Sequence, residues 1–176
     1  MKIGIIGSGG REHAICQILK NSNKVTKIFC FPGNAGTANI AENINLDLDD
    51  FENLKNFILE KEIDLVVVGP EKPLVDGIVD YLEKFNIKTF GPNKIASQLE
   101  GSKIFTKKLC EKFNIPTAKF GIFYNKLDAK KFIETINFPT VIKADNLASG
   151  KGVYICKNIQ DTNVAINEIF DGKFGE

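Results

Sequence analysis

The run Lys2-Ile3-Gly4-Ile5-Ile6-Gly7 leads at once into Ser8-Gly9-Gly10, and then into a helical pattern over residues 10–21 with Ala14, Ile15, Ile18 and Leu19 on one stripe. A short apolar run closed by glycines reads as a buried strand. A strand that passes through a glycine turn into a helix is the opening of a βαβ unit. The pattern then repeats. Residues 27–31 form a second strand stopped by Pro32-Gly33, and Phe51, Leu54, Phe57 and Ile58 recur at helical spacing within 51–61. Residues 64–69 (DLVVVG) are continuously apolar, as a parallel strand covered on both faces must be. A helix at about 73–85 and a short strand near 88–90, ended by Gly91-Pro92, complete the series. The spacing predicts a doubly wound α/β domain with a mostly parallel sheet, right-handed crossovers and strand one central.

After about residue 100 the pattern changes. A helix over 102–114 ends at Asn114-Ile115-Pro116. It is followed by a strand (119–123), a helix (about 127–136), a strand (140–144), a glycine turn (149–152), a strand (153–156) and a helix (about 160–170). Two strands joined through a glycine turn form an antiparallel hairpin. The second part is therefore α+β. The boundary falls near 92–102, dividing the chain into domains 1–100 and 101–176.

Hydrophobic residues make up 43% of the chain, enough for one sizeable core or one domain plus part of another. With 23 basic and 22 acidic side chains the net charge is +1, which gives no reason to expect nucleic acid or a membrane as partner. An anionic ligand must be gripped locally, by a few placed groups. Cys16, Cys30, Cys110 and Cys156 show no C-x-x-C spacing, and buried reduced cysteines suit a reducing cytoplasm. The apolar N-terminal run is too short for a signal peptide.

Gly7-Ser8-Gly9-Gly10-Arg11-Glu12-His13 lies where strand one meets the first helix. Glycines allow a tight turn and a close approach to backbone N–H groups, and the helix N-terminus favours an anion. Gly9, Gly10 and Arg11 are thus candidates for holding a phosphate, against the plainer reading of a tight turn without ligand. A dinucleotide fingerprint fits less well. Its third glycine would fall on Glu12, and the acidic residue expected after strand two is replaced by Phe31-Pro32-Gly33-Asn34. His13, the single histidine, stands beside the proposed phosphate and could donate to it, but such a histidine is more often a partly exposed helix residue with no role.

Two further loops end parallel strands, where open α/β sheets bind ligands. Pro32-Gly33-Asn34-Ala35-Gly36-Thr37 offers Gly33 and Asn34, and Gly69-Pro70-Glu71-Lys72-Pro73 offers Pro70 and Glu71. Glu71 is the acid best placed to accept hydrogen bonds from ribose hydroxyls. Proline and glycine also simply terminate strands. It is three such loops on one sheet edge that suggest a sugar-phosphate cleft.

In the second part, Lys143 stands in the apolar segment Thr140-Val141-Ile142-Lys143. A desolvated lysine implies an anion, either a ligand phosphate or Asp145 two residues on, unless it reaches water. Ser149-Gly150-Lys151-Gly152 resembles a phosphate loop. It is not a Walker loop, which needs glycine at Asp145 and Ser or Thr at Gly152, and a helix rather than a strand afterwards. A glycine hairpin able to cover phosphates describes it better.

The runs GSGGREHA, PGNAGTA, DLVVVGPEKPLVDG, FGPNKIASQLEGSKIFTK and VIKADNLASGKGV, in this order, closely resemble the glycinamide ribonucleotide synthetase family of the ATP-grasp superfamily. The resemblance extends over the whole chain. It implies a ligase that joins glycine to 5-phosphoribosylamine through glycyl phosphate, using ATP and Mg2+ (or Mn2+), in purine biosynthesis. It further implies that Gly9, Gly10 and Arg11 meet the substrate phosphate and Glu71 its ribose. Lys103, Lys143 and Asp145 would lie at ATP, with Ser149, Gly150, Lys151 and Gly152 forming a mobile loop over it. The family's metal-binding carboxylates lie in later sequence, so a piece of this length is expected to be inactive alone. The competing reading is a sugar-phosphate or nucleotide-binding module without chemistry.

Overall fold

Strand β1 (Lys2–Gly7) leads into helix α1 (Gly10–Lys20), β2 (Lys27–Pro32) and, after a 3-10 turn (Thr37–Asn39), β3 (Glu42–Asn43). Helix α2 (Phe51–Glu60), β4 (Leu65–Val68), α3 (Glu71–Asp76), α4 (Ile78–Glu83), β5 (Thr89–Phe90) and α5 (Lys94–Gly101) follow. The computed structural model describes residues 1–145, 147 and 151–174. It divides into two compact units, Met1–Gln98 and Leu99–Glu176.

The first unit is built on one parallel sheet of order β3-β2-β1-β4-β5, with β1 at its centre as the sequence predicts. Alternation along the strands sorts the side chains. Ile3, Ile5, Ile28 and Cys30 pack on one face with Cys16 of α1. Ile6, Phe29, Phe31, Val66 and Val68 pack on the other, against Leu54 and Ile58 of α2 and Ile78 and Leu82 of α4. The thiols of Cys16 and Cys30 lie 3.2 Å apart in this core, and burial pushes the Cys30 thiol up to about 12.

Three expectations change. Ala14 and Ile18 of α1 are exposed. The inward stripe is Glu12, Ile15, Cys16 and Leu19, so a carboxylate heads it. The helix at 73–85 is two helices, because Gly77 adopts a left-handed φ of 98° that ends α3 before α4 begins. The third concerns residues 119–123, which form no strand. A strand needs a ladder partner, and among the described residues the strands paired in this unit are two others. Lys107 Nζ instead donates to Thr117 Oγ1 (2.6 Å) and to the Ala118 carbonyl (3.1 Å), while Phe123 packs its ring on Phe132, centroids 5.0 Å apart.

The second unit contains α6 (Lys103–Lys112), α7 (Lys126–Ile133), β6 (Thr140–Lys143), β7 (Val153–Cys156) and α8 (Ile159–Phe170). Ser102, Asn125 and Asn158 cap α6, α7 and α8, each accepting a backbone N–H three residues on. β6 and β7 are antiparallel, with Val141 opposite Ile155 and Lys143 opposite Val153. Ile142 turns towards the small core of Ala129, Ile133 and Ile166. Among the described residues no helix is long and apolar enough to cross a membrane.

The contrast between the units predicts unequal responses to truncation. Leu54 is fully buried, whereas α6 buries no residue and its Leu109 is half-exposed. In urea unfolding, Leu54→Ala is expected to cost about 2–5 kcal/mol, and Leu109→Ala well under half of that. Equal losses would contradict this distribution of the core.

Candidate functional site

The loops after β1, β2 and β4 lie along one edge of the parallel sheet, because neighbouring parallel strands end on the same side. Arg11, in the first turn of α1, reaches across to the β4 loop. Its Nη1 donates to the Gly69 carbonyl and its Nη2 to Glu71 Oε1 at 2.8 Å. Pro70, two residues past the end of β4 and in extended geometry, is the N-cap of α3, which starts at Glu71 and places that carboxylate opposite Arg11. The guanidinium holds the Glu71 carboxyl below the usual carboxylate range. Both side chains are about half exposed, 58% and 43%, so the pair adds little stability. It instead marks a place where a cation and an acid face solvent together.

Beneath this pair lies Glu12, only 4% exposed. It occupies the third helical position of α1, and its Oε2 accepts the Gly9 N–H at 2.6 Å, half of a capping box. Sequence reasoning used Glu12 only to exclude a dinucleotide fingerprint. The capping signal, a glutamate three residues after the N-cap Gly9, is legible in the sequence. Gly10 faces open space, since a Cβ built there meets nothing within 4 Å.

The β2 loop is fixed by an amide network. Asn34 Nδ2 donates to the carbonyls of Ser8 (2.9 Å) and Gly9 (3.1 Å), and its Oδ1 accepts from the N–H of Gly36 (2.7 Å) and Thr37 (3.0 Å). Thr37 is wholly buried, and its Oγ1 accepts from the Asn34 N–H at 2.7 Å. Asn43 donates to the Asn34 carbonyl at 2.8 Å. Asn34 thus ties the second loop to the first with both ends of its side chain. Gly33 N–H adds a bond to the Gly7 carbonyl at 3.1 Å. Thr37 and Asn43 were not anticipated, because their partners are nearby in the chain but meet only through a loop conformation that leaves no periodic signal. His13 rests against Gly36 and, with Gly10, Ala14 and Gln17, lines a hollow of about 230 Å³ beside the loop. A larger hollow of about 470 Å³, lined by Lys20, Thr26, Lys27 and Glu42 among others, lies at the other end of β2. It touches none of the candidate residues.

In the second unit Asp145 has a definite role. Its Oδ2 accepts from the Ser102 hydroxyl (2.8 Å) and its Oδ1 from the N–H groups of Lys103 (2.6 Å) and Ile104 (3.2 Å). The carboxylate therefore sits on the N-terminus of α6, joining it to the end of β6. It is not the partner of Lys143. The premise that Lys143 is desolvated also changes. Lys143 is exposed on the outer face of the hairpin with Val141, Val153 and Ile155, and makes no ion pair among the described residues. A two-stranded sheet with one covered face leaves every second residue in water. Lys151 is exposed, and the Gly152 carbonyl accepts the Ala144 N–H at 2.8 Å, extending the ladder. Ser149 and Gly150 lie outside the described residues. Among the described residues no group of three or more His, Cys, Asp or Glu side chains could hold a metal ion.

Comparison with known proteins places both units. Residues 1–100 match the family described as phosphoribosylglycinamide synthetase, N domain, and residues 101–176 match its ATP-grasp (A) domain. A curated relative from Brucella melitensis, named phosphoribosylamine–glycine ligase, is 49% identical over 175 residues, covering 99% of this chain and 41% of that protein. The crystal structure of phosphoribosylamine–glycine ligase from Thermotoga maritima superposes with a TM-score of 0.79 at 29% identity, over 99% of this chain and 40% of that one. N5-carboxyaminoimidazole ribonucleotide synthetase from Staphylococcus aureus, solved with ADP, shares the fold, with a TM-score of 0.72 at 21% identity over 94% of this chain and 44% of that one. The chain thus spans about two fifths of the length of these proteins. With its two units matched end to end by the two family domains, the chain belongs to the phosphoribosylglycinamide synthetase family.

Proposed function

We propose that this chain is the substrate-holding and part of the ATP-holding portion of an enzyme that joins glycine to 5-phosphoribosylamine. ATP would transfer its terminal phosphoryl group to the glycine carboxylate, giving glycyl phosphate and ADP. The amine of phosphoribosylamine then attacks the acyl carbon, and inorganic phosphate leaves as glycinamide ribonucleotide forms. Residues 1–100 would hold the phosphoribosyl group and residues 101–176 would belong to the ATP-grasp domain. The enzyme would work in the cytoplasm, in keeping with four free cysteines.

The observation that carries the reading is the juxtaposition of Arg11 and Glu71 above the open N-terminus of α1. A phosphate at Gly10 would gain the helix N-terminus and the guanidinium. Glu71 would then face the sugar hydroxyls. Gly33, Asn34 and Pro70 serve the site by shaping its loops. On the second unit, Lys103 and Lys143 would neutralise nucleotide phosphates as negative charge shifts during transfer. Ser149, Gly150, Lys151 and Gly152 would cover them. Asp145 supports this site from behind, by fixing the backbone at Lys103. Mg2+ or Mn2+ would supply positive charge at the ATP phosphates, and no cluster among the described residues fits such an ion.

Calorimetric titration with ribose 5-phosphate, a stable stand-in for the substrate, tests the first site. Arg11→Ala is expected to weaken binding about 10- to 100-fold, the worth of a charge-assisted hydrogen bond. Unchanged affinity would remove Arg11 from the site.

The second site predicts a separation of roles. In the whole enzyme Lys143→Met is expected to reduce the rise in melting temperature on adding ATP, while leaving ligand-free stability unchanged, since the exposed ammonium makes no ion pair among the described residues. Asp145→Ala is expected to lower ligand-free stability by about 1–2 kcal/mol through loss of its bonds to α6. A destabilised Lys143→Met protein with a full ATP response would contradict the assignment.

A further inference from the structure

The glycines of the first site have an unexpected occupant. A Cβ built on Gly7 would come within 2.6 Å of Glu12 Cγ and Cδ, and one on Gly9 within 2.9 Å of Glu12 Oε2. A Cβ on Gly69, at the end of the neighbouring strand β4, would overlap Glu12 Oε1 outright. Glu12 is 4% exposed, and its Oε2 already holds the Gly9 N–H at 2.6 Å. The cradle formed by the ends of β1 and β4 is therefore filled by the protein's own carboxylate. In dinucleotide-binding folds of this topology, the glycine turn between β1 and α1 gives its backbone to a diphosphate, and a third glycine stands at the position of Glu12.

We propose that Glu12 determines which anion this sheet edge accepts: it fills the glycine cradle against bridging diphosphates and leaves only the outer position at Gly10 and Arg11 for a terminal phosphate. This rests on the phosphoribosyl reading of the loop for its positive half. The exclusion stands on geometry alone. Two effects act together. The Gly9 N–H, a donor a diphosphate would need, is committed to Glu12. The side chain also fills the space beside Gly7, Gly9 and Gly69 that a diphosphate would need, while a phosphate farther out at Gly10 meets open space and the guanidinium of Arg11. The glycines at 7, 9 and 69 are then required by Glu12 and not by the ligand. Glu12 acts by shaping the site and takes no part in the chemistry.

The test uses backbone amide NMR of the 15N-labelled 176-residue chain, titrated separately with ribose 5-phosphate and inorganic pyrophosphate. In the wild type, ribose 5-phosphate should shift the Gly10 and Arg11 amides, and pyrophosphate should leave the Gly9 and Gly69 amides unmoved. Glu12→Asp, which withdraws the carboxylate by one methylene and keeps an acid in the first helical turn, should free the Gly9 amide and bind pyrophosphate there at least tenfold more tightly. Glu12→Gln, which keeps the cradle filled without the charge, should behave as the wild type at Gly9. Pyrophosphate moving Gly9 in the wild type or in Glu12→Gln, or a folded Glu12→Asp protein with the wild-type response, overturns the proposal. If Glu12→Asp does not fold, the wild-type and Glu12→Gln arms still decide it. A chain whose loop ignores ribose 5-phosphate, but gains pyrophosphate binding in Glu12→Asp, refutes the phosphoribosyl reading and upholds the role of Glu12.

Discussion

The hydrogen bond from the Gly9 N–H to the buried carboxylate of Glu12 is the contact on which the loops at the first unit's sheet edge depend. It fixes the turn between β1 and α1, and the same carboxylate packs against the glycine that ends β4. With that turn set, the backbone around Gly9 can accept from Asn34, which anchors the β2 loop. Arg11, one residue before Glu12, is directed outwards to Gly69 and Glu71. Three loops from three strands are thus locked by two side chains, Glu12 from beneath and Asn34 from the side. The buried glutamate is stable there because a helix N-terminus supplies both a donor and a favourable field.

The second unit uses the same device with different residues. Asp145, at the end of β6, places its carboxylate on the N-terminus of α6 and binds Ser102, Lys103 and Ile104. In each unit a carboxylate spends its charge on a helix terminus and so sets the position of a neighbouring cation, Arg11 in one and the backbone of Lys103 in the other.

Much of this architecture is legible in the sequence. The central strand, the buried β4 run and the β6–β7 hairpin follow from apolar runs and glycine turns, because those patterns answer to local periodicity. What was not legible depends on partners distant in the chain. Residues 119–123 have strand composition but join no ladder among the described residues. β3 is two residues long, held by β2 alone. Ile18 fits a helical stripe, but the face of α1 that packs inwards is set by Glu12 and Cys16. Lys143 looks desolvated from its neighbours, but a sheet with one covered face leaves it exposed. At the site, the sequence offers Gly9, Gly10, Arg11 and Glu71 as candidates for holding an anion. The capping role of Glu12 is readable from its place after Gly9, whereas the bonds of Thr37 and Asn43 depend on a loop conformation that leaves no periodic signal.

The central claim is that this edge holds the phosphate of a phosphoribosyl group. A crystal structure of the 176-residue chain grown with ribose 5-phosphate measures it most directly. The account predicts the phosphate within hydrogen-bonding distance of the Gly10 N–H and the Arg11 guanidinium, the sugar hydroxyls turned towards Glu71, and the Gly9–Glu12 bond intact. A phosphate bound only in the second unit, or one that displaces Glu12 from Gly9, would contradict it.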